Sequence, residues 1–438
     1  MHFPQAGNDI DAVRSRFRPF SPSAWRAAFL GTGMLGVALI AVATSGKLFE
    51  TRESSEVLMS AATNSTILRL LALLVAASIL APRITRISIP RSPYFKAFGL
   101  FAIICLASTF WSSSALATIG KASELLVGWL IVCFLSRGTD GRARLIAALH
   151  LVFYYMAAQV VVVTLLYVLG VPGFSERGAG GITDLLGSRS VAPFISANSL
   201  GYYSAALILL VFGTFLSSRL RLRTAFFLLC VFSITLVSSG SRTSLVMAVL
   251  GILILWLNGK RMAILAPFAF LLLLVLSANF HAVLEFLQGD VSDSVFFTLS
   301  GRTVLWQAAI DAWLLNPVIG YGYGVGSRTA FTLVDLHGFA ADISSVHNGF
   351  LEVLLGVGVV GFVPWVISVL GLIAVFLKSR RDPEIFSYTG GICIVVFATT
   401  VMSLGAGGAM SELVLLMLIA FALHAKVKNT NHDSERRM

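Results

Sequence analysis

The sequence predicts an all-α, polytopic membrane protein with about twelve transmembrane helices, both termini on the inner side, and one large outer-side loop between helices 9 and 10. Three observations carry that expectation. Of 438 residues, 57% are apolar and only 12% charged, about half the roughly 25% charge of an average globular chain, so lipid is the main solvent. The apolar residues gather into runs of spanning length. The basic residues fall in short clusters that sit between alternate runs.

A span needs about 20 predominantly apolar residues. Such runs lie near 25–43, 62–81, 94–111, 115–136, 145–169, 198–216, 224–238, 243–257, 262–279, 350–377, 385–403 and 410–425. The runs at 224–238 and 243–257 are short and should extend into their flanks, and the run at 62–81 is interrupted by Arg69. With the N-terminus inside, the inner segments hold Arg14, Arg16, Arg18 and Arg26, then Arg83, Arg86, Arg91 and Lys96, then Arg137, Arg142 and Arg144. They continue with Arg219, Arg221 and Arg223, Lys260 and Arg261, Lys378, Arg380 and Arg381, and Lys426, Lys428, Arg436 and Arg437. That places 23 of the 32 basic residues inside, as retention of positive charge on the cytoplasmic side demands. A rival reading takes Ala41-Val42-Ala43 as a signal-peptide cleavage site. The apolar run before it is longer than a usual leader core, and the later loops keep their sides under either reading.

The organisation is then an inner tail over 1–24, spans 1–9 over 25–279, an outer loop over 280–349, spans 10–12 over 350–425, and an inner tail over 426–438. The net charge of +11 does not point to nucleic acid, which needs a basic face on a folded domain. The four cysteines, Cys105, Cys133, Cys230 and Cys393, all lie within apolar runs, so neither a zinc site nor a disulfide framework is supported.

Two outward segments are long, 170–197 and 280–349. Loops of that length in a compact protein are functional or disordered, and the second is too rich in apolar and aromatic residues for disorder. Within it, Thr303 to Leu315 reads as a helix stopped by Asn316-Pro317. Gln307 and Asp311 form a narrow polar stripe, while Trp306 and Trp313 lie on the broad apolar side. The helix should therefore lie in the interface or under the loop. Gly320, Gly322, Gly324 and Gly326 then alternate with Tyr321, Tyr323 and Val325. They read as a turn or, less directly, as an anion-binding nest.

Seven histidines are present, of which His281, His337 and His347 face outward. With no HExxH, DxD or clustered carboxylates, catalysis should rest on side-chain acid–base groups and fixed cations rather than a metal. His347 opens a span in Ser345-Val346-His347-Asn348-Gly349, where an imidazole can serve as a general base or simply anchor the helix end. Glu352 points to another side of that helix and, as an intramembrane carboxylate, is a candidate by default. Arg242 sits in the tight outer hairpin Ser239-Gly240-Ser241-Arg242, Arg189 lies just before a span with Asn198 following, and Arg302 opens the loop helix. Planar, permanently charged guanidinium groups suit phosphate oxygens. Interfacial snorkelling is the plainer reading, favoured for Arg69 and Arg328.

Ser241-Arg242-Thr243, Gly301-Arg302-Thr303 with Trp306, Asn316-Pro317-Val318-Ile319-Gly320-Tyr321-Gly322, and His347-Asn348-Gly349 with Leu351-Glu352 and Gly358 occur in an order and placement that resemble the Wzy-type polymerase and O-antigen ligase superfamily of bacterial envelope glycan assembly. The resemblance covers about residues 185–365; the earlier spans match only in hydropathy. It implies a multi-pass protein of the bacterial inner membrane whose outer loop is periplasmic. The activity implied is a metal-independent glycosyltransferase acting on a polyprenyl-diphosphate-linked oligosaccharide, with no cofactor. His347 would take the acceptor's proton, and Arg242, with Arg189 and Arg302, would hold the diphosphate. Asn198, Asn348, Glu352, Tyr321 and Tyr323 would be accessory. Partners would be the lipid-linked glycan, membrane lipid and a chain-length regulator protein. The form resembles exopolysaccharide polymerases more than ligases that transfer to a lipid A core. A secondary transporter is the rival class, but the long loop divides the chain nine plus three on the outside, and no six-plus-six repeat is visible.

Overall fold

The computed structural model describes residues 89–138, 140–177, 188–192, 195–216, 220–257, 302–334, 345–379, 383–402, 407–408 and 410–435. The expected spans near 25–43, 62–81 and 262–279 lie outside the described residues, as do Arg69, His281 and His337. The chain is a mostly helical, multi-pass membrane protein. Its helices are α1 (Pro93–Ala107), α2 (Ala115–Leu135), α3 (Gly141–Val168), α4 (Ala197–Leu216), α5 (Leu222–Ser238), α6 (Arg242–Leu257), α7 (Arg302–Leu315), α8 (Gly326–Phe331), α9 (Gly349–Ser379), α10 (Pro383–Met402) and α11 (Glu412–Glu435). Five of these, α1 with its following 3-10 turn, α2, α3, α4 and α9, are long and apolar enough to cross a membrane by length and composition. The α5 and α6 segments extend into their flanks as anticipated, by two residues and one.

The apolar runs look alike in sequence but take different places. The stretch Val414–Phe421 of α11 is buried on every side, whereas α5 exposes Leu222, Phe226, Phe227 and Ile234. A helix apolar all round is either enclosed by protein or faces lipid, and here both occur. Helix association in lipid gains little from hydrophobicity and depends on packing and polar contacts. Accordingly α1 packs on α9, and α4 is surrounded by α5, α6 and α10. Polar side chains within the helices turn back on their own backbone. Thr164 Oγ1 donates to the Val160 carbonyl at 2.7 Å, Ser204 Oγ to Leu200 at 2.9 Å and Thr399 Oγ1 to Val395 at 2.7 Å, so no hydroxyl among them meets lipid unsatisfied.

The segment 170–197 contributes a small antiparallel ribbon, β1 (Ser175–Arg177) with β2 (Ser188–Ser190), with Glu176 opposite Arg189. The expected loop helix is present as α7. Gln307 Nε2 donates to Asp311 Oδ1 at 3.0 Å on its exposed face, and Trp306 and Trp313 pack on the inner side, around Leu305, Ala308, Ala309, Ala312, Phe331, Val346 and Leu355. This second, smaller core joins α7 and α8 to the start of α9 and positions the candidate site.

Candidate active site

Helix α9 is broken at Gly358, which has φ 58° and ψ −164°. In an unbroken helix the N–H groups of residues 359 and 360 would bond the carbonyls of 355 and 356. Here the Asn316–Gly322 loop replaces both bonds. Val359 N donates to the Pro317 carbonyl at 2.9 Å and Val360 N to Val318 at 3.2 Å, while the Leu355 carbonyl accepts from Tyr321 N at 2.7 Å and the Gly356 carbonyl from Gly322 N at 2.8 Å. A break at membrane depth is tolerated when protein satisfies the freed groups, and this loop does so. Two glycines make the approach possible. A Cβ on Gly358 would overlap the Val318 carbonyl, and one on Gly320, at φ 65°, would lie 2.6 Å from the Leu355 oxygen.

The alternating glycines are thus docking glycines in a turn, not an anion nest. Successive N–H groups of 321, 322 and 323 are engaged by Leu355, Gly356 and Ser108 Oγ, the last at 3.0 Å. Tyr321 donates its hydroxyl to the Ala312 carbonyl at 2.6 Å. Tyr323 is buried, sits edge-on to Phe101 at 5.9 Å, and donates to the Gly408 carbonyl. Both tyrosines therefore anchor the loop. Its other flank is held by Trp111 Nε1 on the Ile319 carbonyl at 3.1 Å, Thr118 Oγ1 on Tyr323 at 3.0 Å and Lys121 Nζ on Gly324 at 3.0 Å.

His347 lies between this scaffold and the start of α9. Its backbone has φ 53°, and it is the non-glycine residue found at positive φ among the described residues. For a residue with a Cβ that conformation costs about 1–2 kcal/mol, and such outliers persist where their surroundings over-determine them. Several contacts do so. Trp306 Nε1 donates to the Val346 carbonyl at 3.2 Å, His347 N donates to Ser345 Oγ at 3.1 Å, and Asn348 Oδ1 accepts from Phe350 N at 3.0 Å and Leu351 N at 3.2 Å. Asn348 is thus the N-cap of α9. The residue as a whole is exposed. Partial burial first, and the Arg302 guanidinium second, push its imidazole below the usual histidine range, because both disfavour the cation. A neutral imidazole is the form that can accept a proton.

Glu352 is buried, with Oε1 accepting from Ser327 Oγ at 2.9 Å and Oε2 facing Val346 N at 3.5 Å. Lys121 and Arg328 lie near enough to act on its charge. Ser327 and Lys121 escaped the sequence reading. Lys121 had a usable signal, a cation inside an apolar run; Ser327 had none.

The arginines fall into two groups. Arg302 lies near enough to His347 for its charge to act there. Arg189 is brought instead to the Ser239–Arg242 turn, where its Nε donates to the Ser239 carbonyl at 2.8 Å and its Nη2 to Asn198 Oδ1 at 3.1 Å. Ser238 Oγ donates to Ser190 Oγ at 2.9 Å, Gly240 turns at φ 61°, and Ser241 and Ser244 hydroxyls meet at 2.6 Å. Arg242 is thereby presented at the first position of α6.

Residues 225–366 match the family described as O-antigen ligase. A stretch of 217 residues, 44% of the chain, is 28% identical to the exopolysaccharide production protein ExoQ of Rhizobium meliloti (strain 1021), and spans about half of that protein, 49%. The resemblance to the polymerase and ligase superfamily therefore holds. The family segment includes Arg242, Arg302, Tyr321, Tyr323, His347, Asn348 and Glu352 and leaves out Arg189 and Asn198.

Proposed function

We propose that this protein is a metal-independent membrane glycosyltransferase that polymerises polyprenyl-diphosphate-linked oligosaccharide repeats on the periplasmic face of the bacterial inner membrane. The observation that carries the reading is an exposed His347 held at φ 53° at the start of α9, inside the segment that matches the O-antigen ligase family. His347 accepts the proton of the acceptor hydroxyl while that oxygen forms the new bond to the anomeric carbon. The bond from that carbon to the diphosphate breaks, and polyprenyl diphosphate leaves with inversion of the centre. Arg302 and Arg242, with Arg189 behind the Arg242 turn, stabilise the charge as it collects on the diphosphate. The donor carries its own good leaving group, so the step needs neither nucleotide nor metal.

The Rhizobium relative is named for exopolysaccharide production, whereas the matching family is described as O-antigen ligase. A chain-length regulator is the protein partner a polymerase would take. Reconstitution with a lipid-linked repeat unit and gel analysis of the product separates the readings. A ladder is expected. Transfer only to lipid A core would make it a ligase, and movement of substrate without new bonds would make it a transporter. Cysteines placed in 280–349 should react with an impermeant thiol reagent in intact spheroplasts; protection there would overturn the sidedness.

A further inference from the structure

We infer that Glu352 is a positioning residue for His347, the clamp that fixes the turn from which the imidazole is presented, and not itself a proton acceptor. The inference rests on the reading of His347 as the base. Val346, the residue before His347, is gripped from two helices on its two backbone groups: Trp306 of α7 donates to the Val346 carbonyl at 3.2 Å, and Glu352 of α9 faces the Val346 N–H at 3.5 Å. The other carboxylate oxygen takes the Ser327 hydroxyl of α8 at 2.9 Å. One carboxylate thus ties together the helix that carries it, the short helix beneath the glycine turn, and the residue before the strained histidine. The division of labour follows from access. Glu352 is 8% exposed, closed in under Ser327, while His347 is open to the site. An acceptor hydroxyl can reach the imidazole but not the carboxylate.

The chemistry of the two donors predicts which substitutions are tolerated. A glutamine at this position can still accept from Val346 N with its oxygen and donate its amide N–H to Ser327 Oγ, since a hydroxyl can serve as acceptor. An alanine can do neither. A group acting as a base would show no such difference, because glutamine and alanine are equally unable to take the proton.

The test is a kinetic cycle on purified, reconstituted variants. Glu352→Ala should lower kcat by about 10- to 100-fold, the scale of a misplaced reacting group, with KM for the lipid-linked donor nearly unchanged. Glu352→Gln should recover most of that loss. In a His347→Ala background, adding Glu352→Ala should lower the residual rate by less than about twofold, because residues that act as one unit are not additive. Equal inactivity of the Gln and Ala variants, or a full further loss in the His347→Ala background, would overturn the clamp and make Glu352 an independent participant. A fully active Glu352→Ala beside an inactive His347→Ala would sink the clamp alone. A fully active His347→Ala would sink the base reading itself. Monodispersity and unfolding temperature are measured for each variant. If Glu352→Ala does not fold, Ser327→Ala releases the same carboxylate from α8 and should show the same pattern in smaller measure; unchanged kcat there would count against the inference.

Discussion

At the Ser239–Arg242 turn a guanidinium from β2 reaches across to hold a carbonyl, whereas at the Val346–Asn348 turn an indole and a carboxylate grip the backbone of Val346 and leave His347 exposed. In the first region a charged side chain is part of the scaffold. In the second the scaffold is backbone and buried polar groups, and the functional side chain is what it presents. The difference teaches how to read substitutions. Damage near Arg189 should appear as lost stability and lost activity together, while damage at His347 should remove turnover from a folded protein.

The largest effect should come from the support beneath the histidine turn. Gly358→Ala places a Cβ against the Val318 carbonyl at a φ of 58° and disrupts the four backbone bonds between the 317–322 loop and α9, each worth about 1 kcal/mol. Folded protein recovered in detergent should fall to a small fraction of wild type, read by size-exclusion profile. A normal profile would mean that the loop does not hold the break.

His347→Gln should fold normally, keep donor binding and lose about 10²- to 10⁴-fold in turnover, the usual contribution of a positioned base. Near-normal turnover would reduce His347 to an anchor for α9. Smaller losses are expected at the arginines, and they should differ in kind. Arg242→Lys keeps the charge but not the planar fork, so glycan synthesis should drop roughly 10- to 100-fold with the unfolding temperature unchanged, equivalent to one or two charge-assisted hydrogen bonds. Arg189→Lys gives up the contacts to Ser239 and Asn198 and should cost about 1–2 kcal/mol of stability, read as a lowered unfolding temperature. If Arg189→Lys is as stable as wild type, the contrast between the two turns fails.

The finest effect concerns pH. Burial and Arg302 hold His347 below the usual histidine range, so the acid limb of kcat against pH should fall below that range, with activity lost only when the imidazole finally protonates. Arg302→Gln removes a repulsive cation from the protonated form. The limb should then move to higher pH, even though activity is lower throughout. An unmoved limb would separate Arg302 from His347.

Much of this arrangement was legible along the chain. The Thr303–Leu315 helix was marked by its polar stripe and the Asn316-Pro317 stop, and α7 starts one residue earlier. The Ser241-Arg242 hairpin and the His347-Asn348-Gly349 helix start were marked by local residue types, and both turn out to be ends of helices. What escaped was pairing across distance. Nothing near Ser327 announces Glu352, and nothing near residues 317–322 announces that their backbone replaces two hydrogen bonds of a helix about forty residues on.

Sequence by itself determined that this is a membrane protein of apolar helices, and which side-chain types stand at the helix ends, because hydropathy, charge clusters and helix stops are local quantities. Tertiary structure alone decided which apolar helices are central, since α11 and α5 carry similar runs yet one is enclosed and the other exposed. It also decided the meaning of the glycines. Gly320 and Gly358 are required by each other's backbone, 38 residues apart in sequence and in contact in space, and only the fold brings that constraint into being.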